Sequence, residues 1–288
     1  MVSPELKNYS LYFGSLVMDV IHIILYTIAV VAIIGVVLFL GAWVVGHRKV
    51  KMNTWEDFEK EARLVEKTTI EQEPEVVHLI QDAIGIFADA FSVGNNSDTS
   101  DATLAKMSLL SHNFGTLKCS VDIALRGYYV QSLNLLRIVY ENWIAFHFLE
   151  KSPDKAHLWL RHSKKELPPK HAAMLKELDA NFNPLKGQMK KWYSTLCSFA
   201  HTDPVNLLPQ ISTDNIPNET SIHFGSTYKN DLFKGSAYAI CLWAGVMLST
   251  ISTWVPKTNQ WHNGMTKIEE RIIQFIDQEN KAFKSGTT

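Results

Sequence analysis

The stretch YVQSLNLLRIVYENWIAFHFLE, Tyr129 to Glu150, reads as one helix that is apolar nearly all round. A helix carrying Leu, Ile, Val, Trp and Phe on every side belongs at the centre of a bundle, where other helices cover it. Its polar members are few. Arg137 and Glu141 stand four residues apart and so meet on one helix face. In so apolar a helix they suggest a buried ion pair, because a buried charge needs a partner where water cannot supply one. His147 follows ten residues after Arg137, roughly 80° round an ideal helix, from where it can reach the same side of the bundle.

The helical pattern continues on both sides. Upstream, Val76-Val77, Ile80, Ile84, Phe87 and Phe91 mark a helix that the turn-rich SVGNNSDTSD ends. An Asp or Ser before Ala102 caps the next, which runs to about Leu125. Gly127 then follows Arg126, the arrangement expected where a helix stops. Downstream, Ser152-Pro153-Asp154 caps a fourth helix, and Pro168-Pro169 breaks it and starts a fifth that ends near Leu178. The pair Asn183-Pro184 precedes a sixth, ending around His201. Thr202 to Lys229 is an irregular loop rich in Pro, Asn, Ser and Thr, and two more helices span about 232–255 and 266–283. No alternating strand pattern of useful length appears, so the fold class is all-α. Gly235 to Val255 has no charge over 21 residues and is long enough to span a membrane. Its Ser, Thr, Gly and Ala content favours a buried bundle helix instead.

A stronger membrane signal lies near the amino terminus. The segment IHIILYTIAVVAIIGVVLFLGAWVV, Ile21 to Val45, holds 25 residues and no Asp, Glu, Lys or Arg. As a helix it spans a hydrocarbon core of roughly 30 Å with some tilt. It is too long for the apolar part of a cleavable signal peptide, and it lacks a basic leader and a small-residue cleavage site. Arg48, Lys49 and Lys51 crowd its carboxyl side, whereas Lys7 and the amino terminus are offset by Glu5 and Asp19. That asymmetry places the N-terminus outside and the following residues in the cytoplasm, with a single pass through the cytoplasmic membrane. Asp19 and His22 are interfacial anchors at the outer end, and Trp43 fits the aromatic belt at the inner end. Trp55 to Glu75 carries eight acidic groups against three basic ones and reads as a polar, partly helical connector. The expected organisation is a membrane anchor over 1–46, an acidic helical connector over 47–75 and a helical bundle domain over 76–288.

Composition bounds the chemistry. The chain is 46% hydrophobic and 20% charged with a formal net charge of −1, so no strong positive field exists to attract DNA. Cys119, Cys197 and Cys241 are scattered and lack C-x-x-C spacing, which argues against a disulfide framework and a cysteine zinc site. There is no H-E-x-x-H, no Walker loop and no G-x-S-x-G elbow, so neither metal nor cofactor is expected. His157, Arg161, His162, Lys164 and Lys165 form a small basic patch that reads as a solvated helix face.

A second polar cluster is WYSTLCSFAHTDP, Trp192 to Pro204. Tyr193, Cys197 and His201 are spaced four apart, with Ser194 and Ser198 on a neighbouring stripe. His201 falls in the last turn beside Asp203, where the helix dipole favours it and Asp203 can orient it. Two readings stay open. In one, His201 is a general acid or base and Arg137 stabilises an anion. In the other, both clusters are hydrogen-bonded networks that fix helix register.

The run ALRGYYVQSLNLLRIVYENWIAFHFL, followed some 45 residues later by YSTLCSFAHTDP, resembles the bacterial family labelled domain of unknown function 5677. The resemblance covers roughly Val76 to Val255 and not the anchor. It implies Arg137, Glu141 and His201 as the marked positions. The helical layout is also similar to the HEPN superfamily of small α-bundles, many of which are metal-independent ribonucleases of toxin and antiviral systems. Their signature is an Arg separated by four to six residues from a following His. Here Ser194, Thr195 and Leu196 occupy those positions, and Lys190 and Lys191 lie too far upstream. The expected function is a membrane-anchored cytoplasmic helical domain for interaction, scaffolding or sensing, with the lipid bilayer as partner and room for homo-oligomers. The alternative that the HEPN resemblance implies is a tethered ribonuclease of phage defence. It would act on RNA with His201 as acid or base and Arg137, reaching in from another helix, near the scissile phosphate. A third arrangement is a two-span protein partnered with another membrane component.

Overall fold

The structure is a computed structural model that describes residues 54–94, 98–161, 166–181, 188–200, 211–213, 220–222 and 226–285. The expected anchor Ile21–Val45 with its His22 and Trp43, the flanking Asp19, Arg48, Lys49 and Lys51, and the candidate pair His201 and Asp203 lie outside the described residues. Within them the chain is helical: α1 (Trp55–Gln72), α2 (Pro74–Val93), α3 (Asp101–Leu125), α4 (Tyr129–Lys151), a 3-10 turn (Pro153–Lys155), α5 (His157–Leu160), α6 (His171–Asn181), α7 (Gln188–Ala200), α8 (Asn230–Ile251) and α9 (Trp261–Ser285).

The helix ends follow from local chemistry. Thr54 and Asp57 form a reciprocal capping box at the start of α1: the Asp57 amide donates to Thr54 Oγ1 over 3.3 Å, and the Thr54 amide donates to Asp57 Oδ2 over 2.9 Å. Pro74 opens α2, where its missing N–H costs nothing. Ser100 caps α3 by accepting from the Thr103 amide. Gly127 ends α3 with φ +81°, and the Tyr128 amide reaches back to the Ile123 carbonyl over 2.9 Å. A Cβ at Gly127 would also collide with the backbone of Thr227, so the α3–α4 turn lies hard against the chain entering α8.

Helix α4 is the axis. It packs along α3 and is also met by α8, α7 and α6. Leu136, Val139, Tyr140, Ile144 and Phe146 on α4 are buried in one core with Leu110 and Leu117 of α3 and Phe233, Ile240 and Met247 of α8, and Phe87 of α2 belongs to the same core. Helix α9 closes the far side on α2 and α8, where the Trp261 indole donates to the Ile86 carbonyl over 2.8 Å and Arg271 pairs with Asp82.

The structure departs from the expected architecture in three places. The fourth helix is short: a 3-10 turn and the four residues of α5 stand where a longer helix was expected, and Arg161 is already extended. Helix α8 stops at Ile251 rather than near Val255. Ser252 and Thr253 turn their hydroxyls back onto the carbonyls of Ser249 and Thr250, and Pro256 follows. The loop before α8 carries a two-stranded antiparallel ribbon that pairs Ile211–Thr213 with Thr220–Ile222. Each strand is three residues long, too short for an alternating pattern to register.

Among the described residues, Pro74–Val93 and Asn230–Ile251 are long and apolar enough to cross a membrane. Both pack within the bundle, and the most apolar window of Asn230–Ile251 is 61% buried there. The acidic segment ahead of them is helical as α1 and lies on the bundle. The Thr69 hydroxyl donates to the Leu125 carbonyl over 3.1 Å, and Arg126 is held between Glu66 at 3.2 Å and Glu59 at 3.9 Å.

Glu269 shares the inward stripe of α9 with Met265, Ile272 and Ile276, spaced three and four residues apart. Burial pushes its carboxyl up to about 7 from an ordinary 4.5. The folded state therefore holds the proton more tightly than the unfolded chain. Stability is fullest at acid pH and falls as pH rises from the unfolded value through the folded one. Glu269→Gln is expected to melt above the wild type at pH 8, with the gap closing toward pH 4. Thermal denaturation across that range checks it, and a gap independent of pH would contradict it.

Candidate functional site

Arg137 and Glu141 lie one turn apart on α4, facing the short helices α6 and α7. The Arg137 Nε donates to Glu141 Oε1 over 2.9 Å. Arg137 Nη2 donates to the Tyr193 hydroxyl of α7 over 3.0 Å, and the guanidinium carbon stands 5.2 Å from the centre of the Tyr193 ring. The pair is not buried as expected: the Arg137 side chain is 29% exposed and that of Glu141 35%. Helices α6 and α7 cover this face of α4 incompletely, and the charges take the open rim, where water supplies what a sealed core would not. Hydrogen bonding to Glu141 holds the guanidinium in its charged form, with its value above the usual one.

The structure adds two members that sequence reasoning missed, His171 and Tyr140. His171 is the first residue of α6. Its ring stacks on Tyr193 with centroids 4.1 Å apart and planes at 28°. Tyr140 of α4 closes the group, 5.8 Å from the Tyr193 ring and 5.5 Å from that of His171. The His171 Nε2 atom is buried and has no hydrogen-bond partner among the described residues. Burial lowers the imidazole below its ordinary value of 6.5; Arg137 adds to the lowering and Glu141 opposes it. Burial raises the Tyr193 phenol, with Cys197 and Glu141 adding to the rise and Arg137 opposing it. An isolated His after two prolines carries no spacing signal toward Arg137, so only the packing of α6 on α4 reveals it.

The other predicted groups fall elsewhere. His147 takes Glu150 as its partner at 2.7 Å and meets the Trp143 ring edge-on. Ser198 donates to the Thr195 carbonyl within its own helix. Tyr193 and Cys197 share one face of α7, as their spacing of four implies, and the structure turns that face to Arg137, whereas His201 lies outside the described residues. Beneath Tyr193, Trp192 enters an aromatic group with Trp143 and Trp243. In the basic patch, Arg161 is exposed and pairs with Asp101 at 3.6 Å, while His157 meets Glu166 at 3.8 Å. Among the described residues no group of three or more His, Cys, Asp or Glu side chains is placed to hold a metal ion.

The arrangement joins α4 to α7 through one cation, and α6 joins both through the His171 ring. Because Arg137 is partly exposed, each of its contacts contributes modestly. Tyr193→Phe and Glu141→Gln are each expected to cost about 0.5–1 kcal/mol. Their combination should cost less than the sum, because both act on one guanidinium. A urea-denaturation cycle checks this; strict additivity would contradict a shared network.

Compared with known proteins, the chain matches no family model, no curated protein and no solved structure.

Proposed function

We propose that the chain is a membrane-anchored, cytoplasmic helical module that works by interaction, scaffolding or sensing. One observation carries the reading most: Arg137 is engaged from within the protein, Nε by Glu141 and Nη2 by Tyr193. A cation committed to a carboxylate and a phenol fixes the register of α4 against α7. It is poorly placed to stabilise charge developing on a substrate, since Glu141 beside it would repel an anion. The apolar Ile21–Val45 segment and the basic residues after it support the anchor and its orientation in the cytoplasmic membrane. Docking of α1 on the bundle through Thr69 and Arg126 fits a domain held close to that anchor.

A second reading, a tethered ribonuclease like those of the HEPN superfamily, draws support from a different feature. An imidazole, His171, stands in the same cluster as an arginine, and its burial favours the neutral form that a general base requires. In this reading His201 or His171 would take the proton from the attacking 2′-hydroxyl, and Arg137 would have to leave Glu141 to reach the phosphate.

Incubating the full chain in detergent with single-stranded RNA and no metal separates the two. The interaction reading expects intact RNA, with His171→Ala and Arg137→Ala altering only the melting temperature. Cleavage that disappears in either folded variant, or in His201→Ala, would establish the nuclease instead.

A further inference from the structure

His171 is placed where a proton has consequences. The imidazole sits at the start of α6, between Tyr193 of α7 and Tyr140 of α4, and its Nε2 is buried without a partner among the described residues. Helix α6 packs mainly on α4, with only slight contact to α7, and buries Met174, Leu175 and Leu178. The His171 stack is therefore a main link between α6 and α7.

We propose that His171 is a proton-operated latch: the neutral ring clamps α6 against Tyr140 and Tyr193, and protonating it releases α6 from α4. The latch rests on the sensing form of the function proposed above and gives that sensing a signal, acidification. It concerns a movement that the sequence pattern gave no hint of.

The electrostatics around the ring are asymmetric. From α4 it faces Tyr140, Arg137 and Glu141, and from α7 it faces Tyr193, with Cys197 one turn further on. Its own helix presents Met174 and Leu175, three and four residues on, both buried. Arg137 is a fixed cation that opposes a second one. Glu141 favours an imidazolium and outweighs Arg137 in this, and burial outweighs both. Protonation also makes both ring nitrogens donors, so the buried Nε2 becomes an N–H with no acceptor among the described residues. Burial is thus what turns the balance against the charged ring.

The sign follows from linkage. A histidine held below its ordinary value of 6.5 in the closed state binds its proton more readily once α6 is free. The closed state is complete above that value and weakens as pH falls through it toward the lower, closed-state value. One unit below the ordinary imidazole value, the opening constant rises by at most about tenfold.

The test is hydrogen exchange on the full chain in phospholipid nanodiscs at about pH 7.5 and 5.5, with rates corrected for the intrinsic effect of pH. In the wild type, protection of residues 171–181 should fall by about fivefold to tenfold at the lower pH, while α3 and α4 hold theirs. His171→Phe keeps a flat ring in the stack but cannot be protonated, so its α6 protection should not respond to pH. The proposal is overturned if wild-type α6 is equally protected at both values, or if His171→Phe responds as the wild type does. Should His171→Phe pack poorly, the histidine titration followed by NMR in the wild type decides: a value at or above 6.5 sinks the latch. RNA cleavage, the result that would remove the function proposed above, leaves the exchange readout unaffected.

Discussion

A helix enclosed by four others has little room for unpaired polarity, and the rest of this structure accommodates that constraint on α4. Several polar groups that α4 carries inward have a partner on a neighbour, whereas the buried Asn134 Oδ1 has none among the described residues. The Trp143 indole donates to Thr250 Oγ1 of α8 over 3.2 Å. The Val139 carbonyl accepts from buried Asn113 of α3, and Asn142 donates to Asn113 in turn over 2.8 Å. Ser132 shares a 2.8 Å bond with Ser120. The charged pair Arg137 and Glu141 is treated differently: it faces the one side closed by short helices, and there it stays in touch with water. The cost of desolvating two charges decides this division, since a sealed ion pair seldom repays it.

How much of this was legible in the sequence depends on whether the signal was local. The continuous apolar surface of Tyr129–Glu150 marks a central helix, and α4 is central. Gly127 after Arg126 marks a helix stop, and the left-handed turn is there. Spacing of four put Arg137 with Glu141 and put Tyr193 on one face with Cys197. The exposure of the Arg137 pair was not legible, because it depends on how completely α6 and α7 cover α4. His171 was invisible for the same reason. Its partners Tyr140 and Tyr193 lie 31 residues before it and 22 after it in sequence, and a lone histidine has no periodicity of its own. The Ile211–Thr213 ribbon and the early end of α8 turn on a few hydroxyl and backbone bonds, which hydrophobic pattern does not encode.

The same organisation sets where motion is affordable. Helices α3, α4 and α8 share large buried side chains, including Leu117, Tyr140 and Met247, so separating them would expose the core. Helices α6 and α7 rest on one face of α4; they touch each other slightly, with the His171–Tyr193 ring stack between them, and α7 is joined to α4 by the Arg137 guanidinium. Helix α1 rests on the opposite end of α3 by Arg126 and Thr69. A bundle of this kind can change its α6–α7 surface without disturbing its centre, which is what the proposed interaction or sensing role would need.

Native-state hydrogen exchange in increasing urea tests most directly whether α4 is the enclosed axis on which everything else depends. Amides from Leu136 to Leu149 should exchange only by global unfolding, with the largest protection in the chain, while those of α1, α6 and α7 open at lower free energy. If α4 amides exchange as readily as those of α6 and α7, the central helix is not enclosed and this account of the fold and its polar seam is wrong.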